Sequence, residues 1–379
     1  MGYPLIQLHS GEDLEFHFDE MSTEFDYFNY GVLHCDHAWQ QSDLDATEYL
    51  QGFPYQDIST FEAGFSTMYE FVHYRFTFPN EMMKPKYSGN YLMVVFRGTD
   101  ISDRSKWVVT YRIVVYESAV SVTSKVTQSS VIADHFKKQE VDFNINYKDF
   151  TIYDPGRDLH VSLLQNLDWE HSINDLKPIF IKSEDLTYDF SGGENTFTAG
   201  NEWRNFEMKS LRYASAEVQS IGLEPDGYNV YLRPDLPVGG KAYVTWADLN
   251  GNWLVRVDGA SDSHLEADYA WVTFKLEMSE IPEAEVFIEG RFNQFSKQPL
   301  KCVFDPAQRA YVARALLKQG YYNYRYIVRD RYLAQDDLSF TEGSSTNTEN
   351  DYHIIVYLYD RNYGCDRVIA IKADNSVRK

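Results

Sequence analysis

The densest group of metal-capable side chains in the sequence is His34-Cys35-Asp36-His37. Imidazole, thiolate and carboxylate are all zinc donors, but they must converge on one tetrahedral point. Tyr30 to Cys35 has the pattern of a strand, which sends His34 and Cys35 to opposite faces. No HxxH or CxxC pair elsewhere supplies the missing ligands, so the segment is read as a turn with a packed cysteine and no metal is expected. Asp248-Leu-Asn-Gly-Asn252 has part of the spacing of a calcium loop, with Asp258 as the acid that would close it. The Asn250-Gly251 pair tolerates positive φ between two strand patterns, which favours a hairpin turn. Nucleophilic catalysis finds no GxSxG elbow and no SxxK, and Gly239-Gly240-Lys241 lacks phosphate-loop spacing. Carboxylate pairs for glycoside hydrolysis are too numerous among 57 acids for any one to be singled out. The expectation is a protein without catalytic residues or cofactor.

Aromatic platforms for a sugar ring remain. Phe292, Phe295, Tyr321 and Tyr322 could stack on a ring while Asn293 fixes its hydroxyls, and Trp39 and Trp203 are further conceivable platforms. The competing reading is that these rings fill sandwich cores, since 16% of the chain is aromatic, with 29 Tyr and 24 Phe.

The elements that would carry such sites are strands. Polar and apolar residues alternate through Asp13–Phe18, His73–Phe78, Asn90–Phe96 and Trp107–Val115. A second series runs through Glu140–Ile145, Leu159–Leu164, Ala242–Trp246 and Ala270–Leu276. A third begins after Pro282, where Val286 and Ile288 oppose Phe287 and Glu289, and Tyr322, Tyr324, Tyr326 and Val328 form one stripe. Ile354, Val356 and Leu358 supply a further inward face of that last segment, and the polar run Ser339–Asp351 is expected to be a mobile loop. The fold class is all-β, as three consecutive immunoglobulin-like (E-set) β-sandwich domains: 1–118, 119–281 and 282–379.

Composition supports that division. A chain of 379 residues with 44% apolar content has length for two to four domains and material for their cores. Residues 283–379 carry 14 basic and 13 acidic side chains, which leaves 21 and 44 for residues 1–282. The change of balance near Ser279-Glu-Ile-Pro282 marks a boundary. A net charge of −22 argues against nucleic acid and against anionic membrane surfaces. No apolar run reaches the length of a membrane helix, so direct membrane insertion is not expected. Cys35, Cys302 and Cys365 are read as buried thiols, with a Cys302–Cys365 bridge as the alternative. Met1-Gly2 followed by Tyr3-Pro4 is read as an abrupt start from which a signal peptide has been removed.

Several motifs in order carry a resemblance. Pro4–Glu12, Leu14–Asp19, His34–Trp39, Glu48–Phe53, His73–Asn80 and Ser88–Leu92 are followed by Gln139–Phe143, Ala199–Arg204 and Ser210–Tyr213, then by Gly290-Arg-Phe-Asn293 and Lys318–Tyr324. This succession resembles the type IX secretion system plug protein family across nearly the whole chain. The resemblance implies a periplasmic, all-β, non-catalytic protein of Bacteroidota, peripheral to the outer membrane. Its partner would be the outer-membrane translocon barrel, whose periplasmic mouth it closes. The last segment separately resembles the starch- and glycogen-binding-type immunoglobulin-like module, which implies polysaccharide as an alternative ligand. Those modules often carry Gly-x-Phe-Asn-x-Trp, and Phe295 stands at the tryptophan position here.

Overall fold

In the computed structural model, which describes residues 4–295, 298–332 and 336–377, the alternating segments become paired strands. The proposed Met1-Gly2 start lies outside the described residues. Leu14–Glu20 and Val72–Phe78 run antiparallel with Phe16 opposite Phe76 and Phe18 opposite Tyr74. Their apolar faces close on Gly89–Phe96 and Trp107–Tyr116, and Tyr74, Phe78, Tyr91 and Met93 are fully enclosed in this first core. Burying each such side chain contributes roughly 1.5–3 kcal/mol, which sets the strand register: a one-residue slip would turn the whole set to solvent.

The long strands of this first sandwich do not end at its edge. Among the described residues a sheet of nine strands runs from Ile173–Asn174 through Leu159–Gln165, Asp351–Asp360 and Cys365–Asn375 into Trp107–Tyr116, Gly89–Phe96, Asn29–Cys35 and Tyr55–Asp57, with Leu5–Gln7 paired parallel beside Trp107–Tyr116. The joint is a short parallel contact at Tyr116 and Val368, extended by Glu117 N donating to Val368 O at 2.9 Å and Ala119 N to Ile369 O at 2.9 Å. Tyr357, Val368 and Leu164 pack behind it with Trp39 and Trp169. One sheet thus serves two cores.

The final strands depart from a linear division at residue 282. Ile354, Val356 and Leu358 stand opposite Leu163, Val161 and Leu159. They share a core with Val141, Phe143, Ile145 and Tyr188, residues of the middle segment. The remaining sandwich, Arg204–Glu207 to Gly320–Asp330, is inserted between Thr196–Thr198 and Asp351–Asp360. Its sheets are Val218–Glu224, Gly227–Leu232, Tyr269–Glu277, Ala310–Lys318 and Val303–Asp305 on one side, and Arg204–Glu207, Gly320–Asp330, Ala284–Glu289 and Leu300–Lys301 on the other. Between them lie Phe206, Val272, Phe274, Val286, Ile288 and the Tyr322, Tyr324, Tyr326 stripe. Alternation reveals which face of a strand is apolar. It carries no information on which distant strand completes that face.

Two expected elements take another form. Ala242–Trp246 is not a strand: Val244 is exposed, and the polar ends of Tyr243 and Trp246 instead bond Asn347 O and Trp203 O. The segment expected to be a mobile loop, Ser339–Asp351, is pinned. Thr341, Glu342, Thr348 and Asn350 are buried. Thr341 Oγ1 donates to Tyr326 O, Thr348 Oγ1 to Gly200 O, and Asn350 Nδ2 to Ala199 O and Gln139 Oε1. Polar composition here satisfies buried backbone rather than solvent.

Candidate functional site

The predicted platform residues meet at the corner after Ala284–Glu289. Gly290 lies in extended backbone with Asn323 O where a Cβ would stand, 2.6 Å away, so only glycine admits the close approach. The chain then makes one 3₁₀ turn, Arg291–Asn293. Asn293 closes that turn on itself: its Oδ1 accepts from Gly290 N at 2.9 Å and its Nδ2 donates to Ile288 O at 3.0 Å. Its amide is thus committed to backbone. Phe292 packs edge-on to Tyr322 with centroids 5.6 Å apart, and Tyr322 lies sandwiched between parallel Phe206 and Trp253 in the core. Phe295 is buried against Trp203, and the Arg291 guanidinium covers its ring. Tyr321 alone of the set lies on the outer side of its strand, half-buried, beside Asn323. Burial raises the hydroxyl pKa of both Tyr322 and Tyr321, the former well above the ordinary phenol range. The rings come together, but Tyr322 and Phe295 offer no face to a sugar.

Asp248–Asn252 explains part of that burial. Asn250 and Gly251 adopt positive φ, 50° and 81°, as the turn reading requires. The turn presses onto the predicted platform: Gly251 O accepts from Arg291 N at 2.8 Å, and a Cβ on Gly251 would sit 2.9 Å from the Trp203 ring. Asp248 accepts from Trp203 N and Asn250 N, and its burial pushes the carboxyl up to about 6. Nearby Glu202 and Glu349 act in the same direction.

His34-Cys35-Asp36-His37 divides its roles. Cys35 is buried with Sγ toward Leu33 O, and Asp36 Oδ1 accepts from Ala38 N and Gln40 N to form the turn. Burial pushes the His34 imidazole down to about 4. His37, however, has partners that local sequence could not supply. Its Nδ1 lies 2.6 Å from Asp366 Oδ2, its ring stacks on His160 at 3.7 Å, and its Nε2 is 3.7 Å from Asp175 Oδ1. His160 Nδ1 approaches the same Asp175 oxygen at 2.6 Å. These residues were missed because His37 and Asp366 are brought together only by the nine-stranded sheet. The one local signal was a histidine at a polar position of the Leu159–Leu164 alternation. All three cysteines are free and buried, which removes the Cys302–Cys365 bridge, and burial raises the thiol of Cys302 above its usual range.

The fold and this geometry define a multi-sheet β-sandwich protein whose Gly/Asn turns serve packing. Residues 1–117 match the model of the type 9 secretion system plug protein first domain. Residues 280–356 match the glycogen recognition site of AMP-activated protein kinase. Neither is a catalytic module. No curated protein matches the chain. A crystal structure of a hypothetical protein from Parabacteroides merdae is similar throughout, with 30% identity and a TM-score of 0.91 over 98% of this chain and 93% of that one. The first 117 residues thus match the family of type 9 secretion plug proteins, and residues 280–356 a carbohydrate-recognition module.

Proposed function

We propose that this is a non-catalytic periplasmic protein that docks beneath an outer-membrane translocon barrel and closes the periplasmic end of its pore by protein contact. The observation that carries the reading is the match of the first sandwich, residues 1–117, to the plug domain. The continuous nine-stranded sheet gives this reading a physical basis, because occlusion requires a stiff body and a broad surface rather than a reactive cleft. No helix among the described residues is long and apolar enough to cross a membrane. The end strand Phe180–Ile181 of the sheet opposite offers a docking edge, with both side chains more than half exposed beside Ile179. Exposed apolar edges accept a partner's strand.

The match of residues 280–356 favours a second reading, a glycan-binding protein of the cell envelope. The burial of Phe295 and Tyr322 weighs against it, so the module is taken as reused scaffold. Affinity purification of the tagged protein from its native outer membrane separates the two. Recovery of a large barrel protein supports the plug reading, and recovery of polysaccharide without a barrel overturns it.

A further inference from the structure

Three histidines from two sandwiches converge where the inserted sandwich leans on the first. His17 and His73 lie on the outer face of the antiparallel pair Leu14–Glu20 and Val72–Phe78, where Asp19 stands opposite His73. His264 comes from the one-turn helix Ser263–Glu266, capped by Asp262. One ring nitrogen from each lies within 4.8 Å of the other two. The His17 and His264 rings are parallel at 4.2 Å, and both are 5.1 Å from the His73 ring. They line a cavity of about 20 Å³ together with Glu62, Asp262 and Arg75. That is room for a water or a single ion.

Each neutral placement of the His17 proton leaves one unfavourable contact. Asp19 Oδ1 lies 2.6 Å from His73 Nδ1, and Asp19 Oδ2 accepts from Tyr269 OH at 2.7 Å and Lys318 Nζ at 2.5 Å. In the neutral ring with its proton on Nδ1 toward Asp19, His73 Nε2 is a bare lone pair. That lone pair faces His17 Nδ1 at 3.0 Å, while His17 Nε2 lies 3.3 Å from Glu15 Oε2. If His17 carries its proton on Nε2, two lone pairs oppose each other at 3.0 Å. With the proton on Nδ1, a lone pair meets the Glu15 carboxylate instead. Protonating both nitrogens would resolve the conflict, but burial, reinforced by His73, lowers the His17 pKa. Burial, then His17 and His73, pushes His264 down to about 4. With the rings neutral, at most one proton lies between His17 Nδ1 and His73 Nε2 across 3.0 Å.

We propose that His17, His73 and His264 bind a borderline divalent transition cation, Zn²⁺ foremost, which joins the inserted sandwich to the first. A cation between His17 Nδ1 and His73 Nε2 removes the lone-pair conflict, since donors at about 2.0–2.1 Å from zinc stand roughly 3.3 Å apart. His264 supplies the third nitrogen by a side-chain adjustment, and a water completes the tetrahedron. The Asp19–His73 contact is the outer carboxylate that orients a ligating imidazole and strengthens it as a donor. Glu62 and Asp262 add negative potential, which the exposed Arg75 partly offsets. The second cluster differs: both His37 and His160 have Nδ1 facing a carboxylate at 2.6 Å, whereas in the first only His73 does.

The inference does not depend on the plug reading. The test is calorimetric titration of the chelator-treated full-length protein with ZnCl₂, with Co²⁺ absorption reporting tetrahedral nitrogen ligation. Wild type is expected to take up about one equivalent and to melt at a higher temperature when loaded. His264→Ala and, separately, His17→Gln should each weaken binding by about tenfold or more, while Asp19→Asn should weaken it by about 10–100-fold. His264→Ala alters a one-turn surface helix, and far-ultraviolet dichroism checks that each variant is folded. His37→Ala should bind as wild type. Absence of saturable binding overturns the proposal, as does undiminished binding by folded His264→Ala and His17→Gln, or loss of binding in His37→Ala.

Discussion

Asp366 Oδ2 takes two hydrogen bonds from His37, one from the backbone N at 2.8 Å and one from the ring Nδ1 at 2.6 Å. One turn of the first sandwich is thereby tied to the last strand of the second. The contact lies beside the joint at Tyr116 and Val368, so charge and sheet hydrogen bonding hold the same seam.

The seam should weaken at both pH extremes. The hydrogen bond to Asp366 raises the His37 pKa above 6.5, even though burial opposes it. Burial pushes Asp366 up, but the two His37 bonds and the His37 charge outweigh it and leave the carboxyl below 3.8. The His37 contribution is complete below 6.5 and is lost as pH rises through the folded-state pKa. That of Asp366 is complete above 3.8 and is lost as pH falls through its own. Asp366→Asn should cost about 2 kcal/mol between those values. Thermal melts of wild type and variant should therefore differ more at mildly acidic than at alkaline pH. A gap that is constant across pH would remove the ion pair from the account.

Ile354 is fully buried opposite Leu163, although it lies far beyond the inserted sandwich. Ile354→Ala should cost about 3 kcal/mol by leaving a cavity in the second core. Hydrogen exchange should then accelerate in Lys138–Asn146 while Ala310–Lys318 stays protected. The reverse pattern would mean that the last strands stabilise the inserted sandwich.

Phe295→Ala should act through packing. The ring is buried between Trp203 and the Arg291 guanidinium, so its loss should cost about 3 kcal/mol in a urea titration. Polysaccharide titration should read the same for wild type and variant. Saturable glycan binding that disappears in the folded variant would restore Phe295 as a platform.

Local pattern revealed much of the fold because half-buried strands have a two-residue period. Leu14–Glu20, Val72–Phe78, Gly89–Phe96 and Tyr269–Glu277 lie close to where alternation puts them. The positive φ of Asn250 and Gly251 likewise follows from residue type. Partnership was hidden. Val356 meets Val161, and His37 meets Asp366, through long-range pairing that no short window contains. Burial of the 339–351 segment was hidden for another reason: Glu342 is buried because it pairs with Arg204 and accepts from Tyr326 N, and composition alone reads a glutamate as solvent-facing. The candidate platform failed to be legible in the same way, since an aromatic ring looks identical in sequence whether it faces a sugar or a core.

The most direct test of the central claim is recovery of the tagged full-length chain from cross-linked native cell envelopes, followed by mass spectrometry of its partners. Docking as a plug predicts an outer-membrane barrel as the dominant partner, with cross-links to the periplasmic side of its pore. Recovery of the chain with no barrel attached would contradict it.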